Sequence, residues 1–158
     1  MPLHLEIVTP EKRAFVGDVD EVIVPGSDGE LGILPHHAPL ISTLGHGVLR
    51  LKRGGQVEEF AIFGGFLQVR PDRVVVLAET ADLASEIDLE RAERARREAE
   101  HLLEGAVETA DLEVARAALQ RALIRIRLAE RGARRPRGAH EGARRHPETP
   151  RQGPPGGQ

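Results

Sequence analysis

The 158-residue chain has no cysteine, tryptophan or tyrosine, a single methionine and four phenylalanines. Without cysteine there is no disulfide framework and no thiolate for catalysis or metal binding. Long apolar runs are also missing. Nothing approaches the ~18 residues that read as a membrane-spanning helix, and the opening MPLHLEIV lacks the charged and apolar regions of a signal peptide. The expectation is a chain of cytosolic origin that reaches a membrane only through a partner. Catalytic motifs are absent too: no Walker loop, no G-x-S-x-G, no H-E-x-x-H, and no carboxylate pair in contexts that would separate their pKa values. Together with the missing Cys, Tyr and Trp, this favours a non-enzyme with no catalytic residue and no required cofactor.

Lysine is scarce as well, with 2 Lys against 20 Arg, and the charge is unevenly spread. Residues 1–130 carry 15 basic and 23 acidic side chains, a balance of −8, while residues 131–158 carry 7 Arg and 2 Glu, a balance of +5. The stretch RGARRPRGAHEGARRHPETPRQGPPGGQ lacks any large aliphatic or aromatic residue. Too little apolar surface is available to offset the entropy of ordering, so the expectation is a disordered, solvated tail with no specific nucleic-acid role.

What is present divides into two patterns. Up to about residue 80, Leu3, Leu5 and Ile7 alternate, and VDEVIVPG and RVVVLAET are short β-branched runs closed by turn residues. LRLKRGGQVEEFAIF reads as two strands joined at Gly54-Gly55, because a type I′ turn requires positive φ at both central positions. VRPDRVVV supplies a second tight turn at Pro71-Asp72. Such spacing without helical periodicity predicts an antiparallel β-sandwich or barrel with one modest core.

The pattern changes near residue 82. Ala92, Ala95, Ala99 and Leu102 recur at helical spacing, as do Leu112, Ala115, Leu119, Ala122, Ile126 and Ala129. Gly105 reads as a C-cap, and Thr109 or Asp111 as the next N-cap. A short linker between the two stripes predicts an antiparallel helical hairpin. Its alanine-rich seam buries little area, so the hairpin should rest on the β-domain or on a partner, and be able to detach. The chain thus divides into a β-sandwich over 1–84, an α-helical hairpin over 85–130 and the tail over 131–158.

Two stretches invite a chemical reading. In SDGELGILPHHAPLI, glycines and prolines shape a loop tip where Glu30 and His37 are candidate contact residues. His36 and His37 are neighbours on extended chain and point to opposite sides, with no third ligand at metal spacing. In EIDLERAERA, Asp88 and Arg91 stand three apart, as in an ordinary surface ion pair on a helix.

GELGILPHHAPL, FGGFLQVRPDRVVVLAETA and EIDLERAERARREAEHLL, colinear over residues 3–130, resemble the epsilon subunit of F-type ATP synthases. The resemblance implies a ten-stranded flattened β-sandwich followed by a two-helix hairpin. It implies a non-catalytic subunit of the rotor's central stalk, docked on the gamma subunit and the membrane-embedded c-ring, with Glu30 and His37 at the ring-facing loop positions. At the place of His36 the family commonly has Gly. The hairpin is implied to extend toward the catalytic alpha–beta interfaces and oppose ATP hydrolysis.

Ile87-Asp88-x-x-Arg91-Ala92 also matches the (I/L)DxxRA motif with which some bacterial members bind ATP as a regulatory ligand. Arg121 and Arg125 match the phosphate-holding arginines, and Asp82 stands where a longer Glu is usual. A further first-helix arginine falls at Glu98, with Arg97 one place off, so a negative charge replaces a positive one there. Two readings from other classes stay open: a free-standing nucleotide-responsive module without rotary partners, and a small hydrolase using His36 or His37.

Overall fold

The computed structural model describes residues 2–133. The expectation of a disordered tail falls, apart from residues 131–133, outside this range. The first eighty-odd residues form strands β1 (Leu3–Val8), β2 (Arg13–Val19), β3 (Glu21–Gly26), β4 (Gly29–Ile33), β5 (Leu40–Arg53), β6 (Gln56–Val69), β7 (Val74–Ala78) and β8 (Ala81–Leu83). Hydrogen-bonded neighbours run β2-β1-β7-β6-β5-β3-β4, with β8 on β6.

Alternation decides which side is buried. Leu3, Leu5 and Ile7 of β1, Val22 and Val24 of β3, and Val74 and Val76 of β7 enter one core with Leu49, Leu51, Phe60, Ile62 and Leu67. The two turns expected from sequence are present. Gly54 and Gly55 adopt φ of 57° and 78°, and the Arg70 amide donates to the Arg73 carbonyl across Pro71-Asp72.

Two features differ from the sequence expectation. The sheet is not wholly antiparallel, because β1 pairs β7 in parallel, with Leu5 opposite Val74. Alternating apolar runs specify strands but not the direction of their partners. The described residues also hold eight continuous strands rather than ten. β5 and β6 are 14 residues each and pass from one layer to the other at a bend, so that counting their halves separately recovers ten.

The bend lies where Leu44 pairs Gly65 and His46 pairs Phe63. Gly64 and Gly65 there have φ of 72° and 125°, and a side chain on Gly65 would collide with the carbonyl of Leu77. Only glycine satisfies both demands. His36 takes the left-handed conformation at φ 66°. The loop thus keeps a glycine-type turn although its residue is not glycine, at a steric cost of about 1 kcal/mol.

A short 3-10 turn, Ala84–Glu86, leads into helices α1 (Leu89–Gly105) and α2 (Thr109–Ala133). Ala92, Ala99, Ala115 and Ala122 are buried along the seam as the stripes predict, whereas Leu102 is exposed. The caps differ by a residue or more. Ala106, not Gly105, is the C-cap of α1, and the first α2 bond runs from the Leu112 amide to the Glu108 carbonyl, so Thr109 and Asp111 lie inside the first turn.

The hairpin rests on the sandwich through α2. Ile124 and Leu128 pack on Ala61 and Phe63, flanked by Val48, Ala84 and Ile87. The alternation of β5 and β6 turns Val48, Ala61 and Phe63 away from the main core, where Leu49, Phe60 and Ile62 point. The hairpin therefore covers the outer face of one layer.

Candidate functional site

The joint between sandwich and hairpin gathers several of the residues singled out by sequence. Asp82 lies on β8, and its Oδ2 accepts a hydrogen bond from Nε of Arg125 on α2 at 2.9 Å. The same guanidinium stacks over the Phe63 ring, 4.7 Å from its centroid, a cation–π arrangement that orients its plane. Ile87 packs into the apolar cluster beside Ile124 and Leu128. Ala92 is buried on the helix seam. Asp82, Ile87 and Arg125 are thus brought to one place, with Arg121 half-buried one turn earlier on α2.

Asp88 and Arg91 do not form the surface ion pair expected of them. Asp88 precedes α1 as its N-cap, and its Oδ1 accepts from the backbone amide of Arg91 at 3.2 Å. Capping an otherwise unsatisfied amide contributes ~1 kcal/mol, more than an exposed i,i+3 pair. The Arg91 guanidinium is left exposed, and neither it nor that of Arg121 has a hydrogen-bonding or ionic side-chain partner among the described residues. Glu98 is exposed, and so is Arg97. Arg96, which precedes them, is half-buried, with its Nε buried and without a hydrogen-bond partner among the described residues.

A second ion pair ties α2 to the sandwich. Glu59 of β6 is 7% exposed, and its Oε2 lies 3.2 Å from Nη2 of Arg131 in the last turn of α2. A cation there also complements the negative end of the helix dipole. Sequence reasoning missed Phe63, Glu59, Ile124, Leu128 and Arg131. The Ile124/Leu128 spacing of four was a legible signal for a second apolar stripe on α2. The pairing of Glu59 with Arg131 has no local signature.

At the β3–β4 end, Glu30 is exposed and accepts from Nη2 of Arg50 at 3.1 and 3.0 Å. His37 is half-buried, with Nδ1 2.7 Å from the Ala38 carbonyl and its amide bonded to the Leu34 carbonyl. They do not share one loop tip as expected: Glu30 stands on strand β4 beside the β3–β4 turn, and His37 lies in the loop between β4 and β5. Among the described residues no group of three or more His, Cys, Asp or Glu is placed to hold a metal ion, and no helix is long and apolar enough to cross a membrane.

The sandwich has a second apolar surface, on the outer face of the other layer. The register sets Phe66 beside Leu77 and Thr43, and Val16, Glu6, Val75, Gln68 and Ile41 in the adjacent row. Ile41 is 73% exposed, Phe66 56%, Leu77 48% and Val16 46%. Exposed apolar residues clustered on one sheet face, unlike scattered ones, mark an interaction surface.

Comparison with known proteins covers both halves. Residues 2–84 match the family model described as ATP synthase, Delta/Epsilon chain, beta-sandwich domain, and residues 85–130 match the one described as its long alpha-helix domain. The chain is 48% identical over 127 residues to the ATP synthase epsilon chain of Desulforamulus reducens, covering 80% of this chain and 96% of that one. It is 48% identical over 130 residues to that of Halalkalibacterium halodurans, covering 82% and 98%. Among solved structures, a chain of the Euglena gracilis mitochondrial ATP synthase OSCP/F1/c-ring assembly is similar at TM-score 0.67 and 24% identity, covering 75% of this chain and 76% of that one. A chain of the Tetrahymena thermophila mitochondrial central stalk/c-ring assembly is similar at TM-score 0.58 and 13% identity, covering 82% and 97%. These two likenesses concern the fold. With both domain models matched in order over residues 2–130, the chain belongs to the ATP synthase delta/epsilon chain family.

Proposed function

We propose that the chain is the non-catalytic epsilon subunit of a bacterial F-type ATP synthase, a part of the rotor's central stalk on the cytoplasmic face of the membrane. The observation that carries this reading is a sandwich with two apolar outer faces, one covered by its own hairpin and the other open across Val16, Leu77, Phe66 and Ile41. The open face fits the gamma subunit. Glu30 beside the β3–β4 turn and His37 in the β4–β5 loop fit the polar loops of the c-ring. The subunit reaches the membrane through these contacts, with no nucleic acid involved. A tagged copy expressed in the source cells should recover alpha, beta and gamma from detergent-solubilised membranes. Recovery of a folded monomer alone would instead favour a free-standing binding module.

We further propose that the hairpin regulates hydrolysis. Released from the sandwich, its arginine-rich helices would reach acidic surfaces of the alpha and beta subunits and oppose ATP hydrolysis. ATP would act on this equilibrium as a regulatory ligand at Ile87, Asp88, Arg91, Ala92, Arg121 and Arg125, with Asp82 beside them. Convergence of Asp82, Ile87 and Arg125 on one joint supports this placement. A ligand that binds only the closed form stabilises it by roughly 2.7 kcal/mol at a hundredfold excess over Kd. Calorimetry on the isolated chain should register ATP binding that Arg91→Ala weakens. No heat at millimolar ATP would remove the sensor and leave the stalk role standing.

A further inference from the structure

We infer that the open face of the sandwich holds its partner at one groove on the β5–β6 margin, which takes a large apolar side chain of the gamma subunit with a carboxylate beside it on Arg70. The inference rests on the reading of that face as the gamma-docking surface, and adds where on it the partner is anchored.

Over most of the open face, paired strands set Phe66 beside Leu77 and Val16 beside Glu6, as in any pleated sheet. Such rows offer contact area; what selects one side chain is a concavity. The face has one where β5 begins and β6 ends. Leu40 pairs Val69 and Ile41 pairs Gln68 there, with Pro39 just before β5 and Pro71 just after β6. Residues 39–41 and 68–71 line an open groove of about 360 Å³. Ile41 forms one wall, and at 73% it is the most exposed large apolar residue of this face.

The groove suits an anchor. Its volume lies at the small end of the roughly 300–1,000 Å³ of ligand pockets, which fits one side chain better than a cofactor. Its walls are set in advance, because proline rings fix φ and the strand pairing fixes the rest, so little freedom is lost when a partner seats. The prolines also bring no amide N–H that covering would leave unsatisfied. Interfaces concentrate their binding energy in large side chains seated in such preformed pockets.

The rim supplies a charge. Arg70 lines the groove and is exposed, and its guanidinium has no hydrogen bond or ion pair among the described residues. Asp72, the acid of the same turn, is taken by Arg73 at 3.3 Å. At the opposite margin of the face the acids have an internal neighbour, His4, which lies 3.1 Å from Asp18 and 3.7 Å from Glu6. A cation left uncompensated on the rim of an apolar groove selects a partner with an anion at that point. A guanidinium favours a carboxylate, to which it can donate two parallel bonds.

The test titrates the full-length chain and three variants against a purified alpha–beta–gamma complex that lacks epsilon. The parent should bind. Ile41→Ala and Arg70→Glu should each weaken binding roughly tenfold or more, whereas Val16→Ala, at the far margin of the same face, should cost about threefold or less. All three side chains are exposed, so thermal unfolding of the free variants should match the parent. Equal small losses from Ile41→Ala and Val16→Ala would overturn the anchor and leave gamma docking in place. Full affinity of Arg70→Glu would overturn the paired carboxylate. A parent that fails to bind the complex would remove the gamma reading and the anchor with it. Full affinity of every variant together with lost recovery of the c-ring from membranes would assign the groove to the ring, and self-association abolished by Ile41→Ala would assign it to a second copy; either overturns the proposal.

Discussion

Gly65 illustrates how one residue carries information that reaches across the molecule. Its φ of 125° lies where side chains strain, and its Cα faces the Leu77 carbonyl with no room for a methyl group. FGGF therefore encodes the point at which β6 leaves one layer for the other. Gly65→Ala should destabilise the sandwich by about 3 kcal/mol or more, because the backbone itself must move. Chemical denaturation of the isolated chain checks this; a loss below 1 kcal/mol would mean the bend relaxes freely. Asp88 teaches a different lesson at the same scale. Its spacing to Arg91 was legible, but the bond goes to an amide, because the helix begins one residue after the acid.

At the scale of elements, the hairpin depends on α2 having two apolar stripes. One is the alanine-rich seam with α1, and the other is Ile124 and Leu128 against the sandwich. Leu128 is fully buried although it lies outside the main core. Leu128→Ala should weaken docking of α2 by about 2–4 kcal/mol, as expected for a truncated buried leucine. Exchange protection should fall across α2 and persist in β1 and β7, since the sandwich core does not include this leucine. Uniform loss over the whole chain would indicate that hairpin and sandwich unfold as one unit.

For the whole molecule, the two outer faces of the sandwich decide what it can join. The face under α2 is closed by ion pairs and a small apolar cluster, and the other is open across Phe66, Leu77, Ile41 and Val16. Phe66→Glu should leave the isolated chain's stability within about 0.5 kcal/mol, as surface changes usually do. It should nonetheless abolish recovery of gamma from membranes, because a charge at the centre of an apolar interface is desolvated without a partner. Undiminished recovery would move the gamma contact to another surface.

The sequence by itself determined the two-part organisation, the alternation that fills the sandwich core, the glycine turns and the alanine seam. All of these are local, since periods of two and 3.6 residues and the φ demands of glycine act within a few positions along the chain. Only the tertiary structure decided that β1 runs parallel to β7, that Arg125 meets Asp82 and Phe63, and that Glu59 is buried under Arg131. Those contacts join residues 43 or more positions apart, and their partners are selected by the packing of whole elements, which no spacing along the chain encodes.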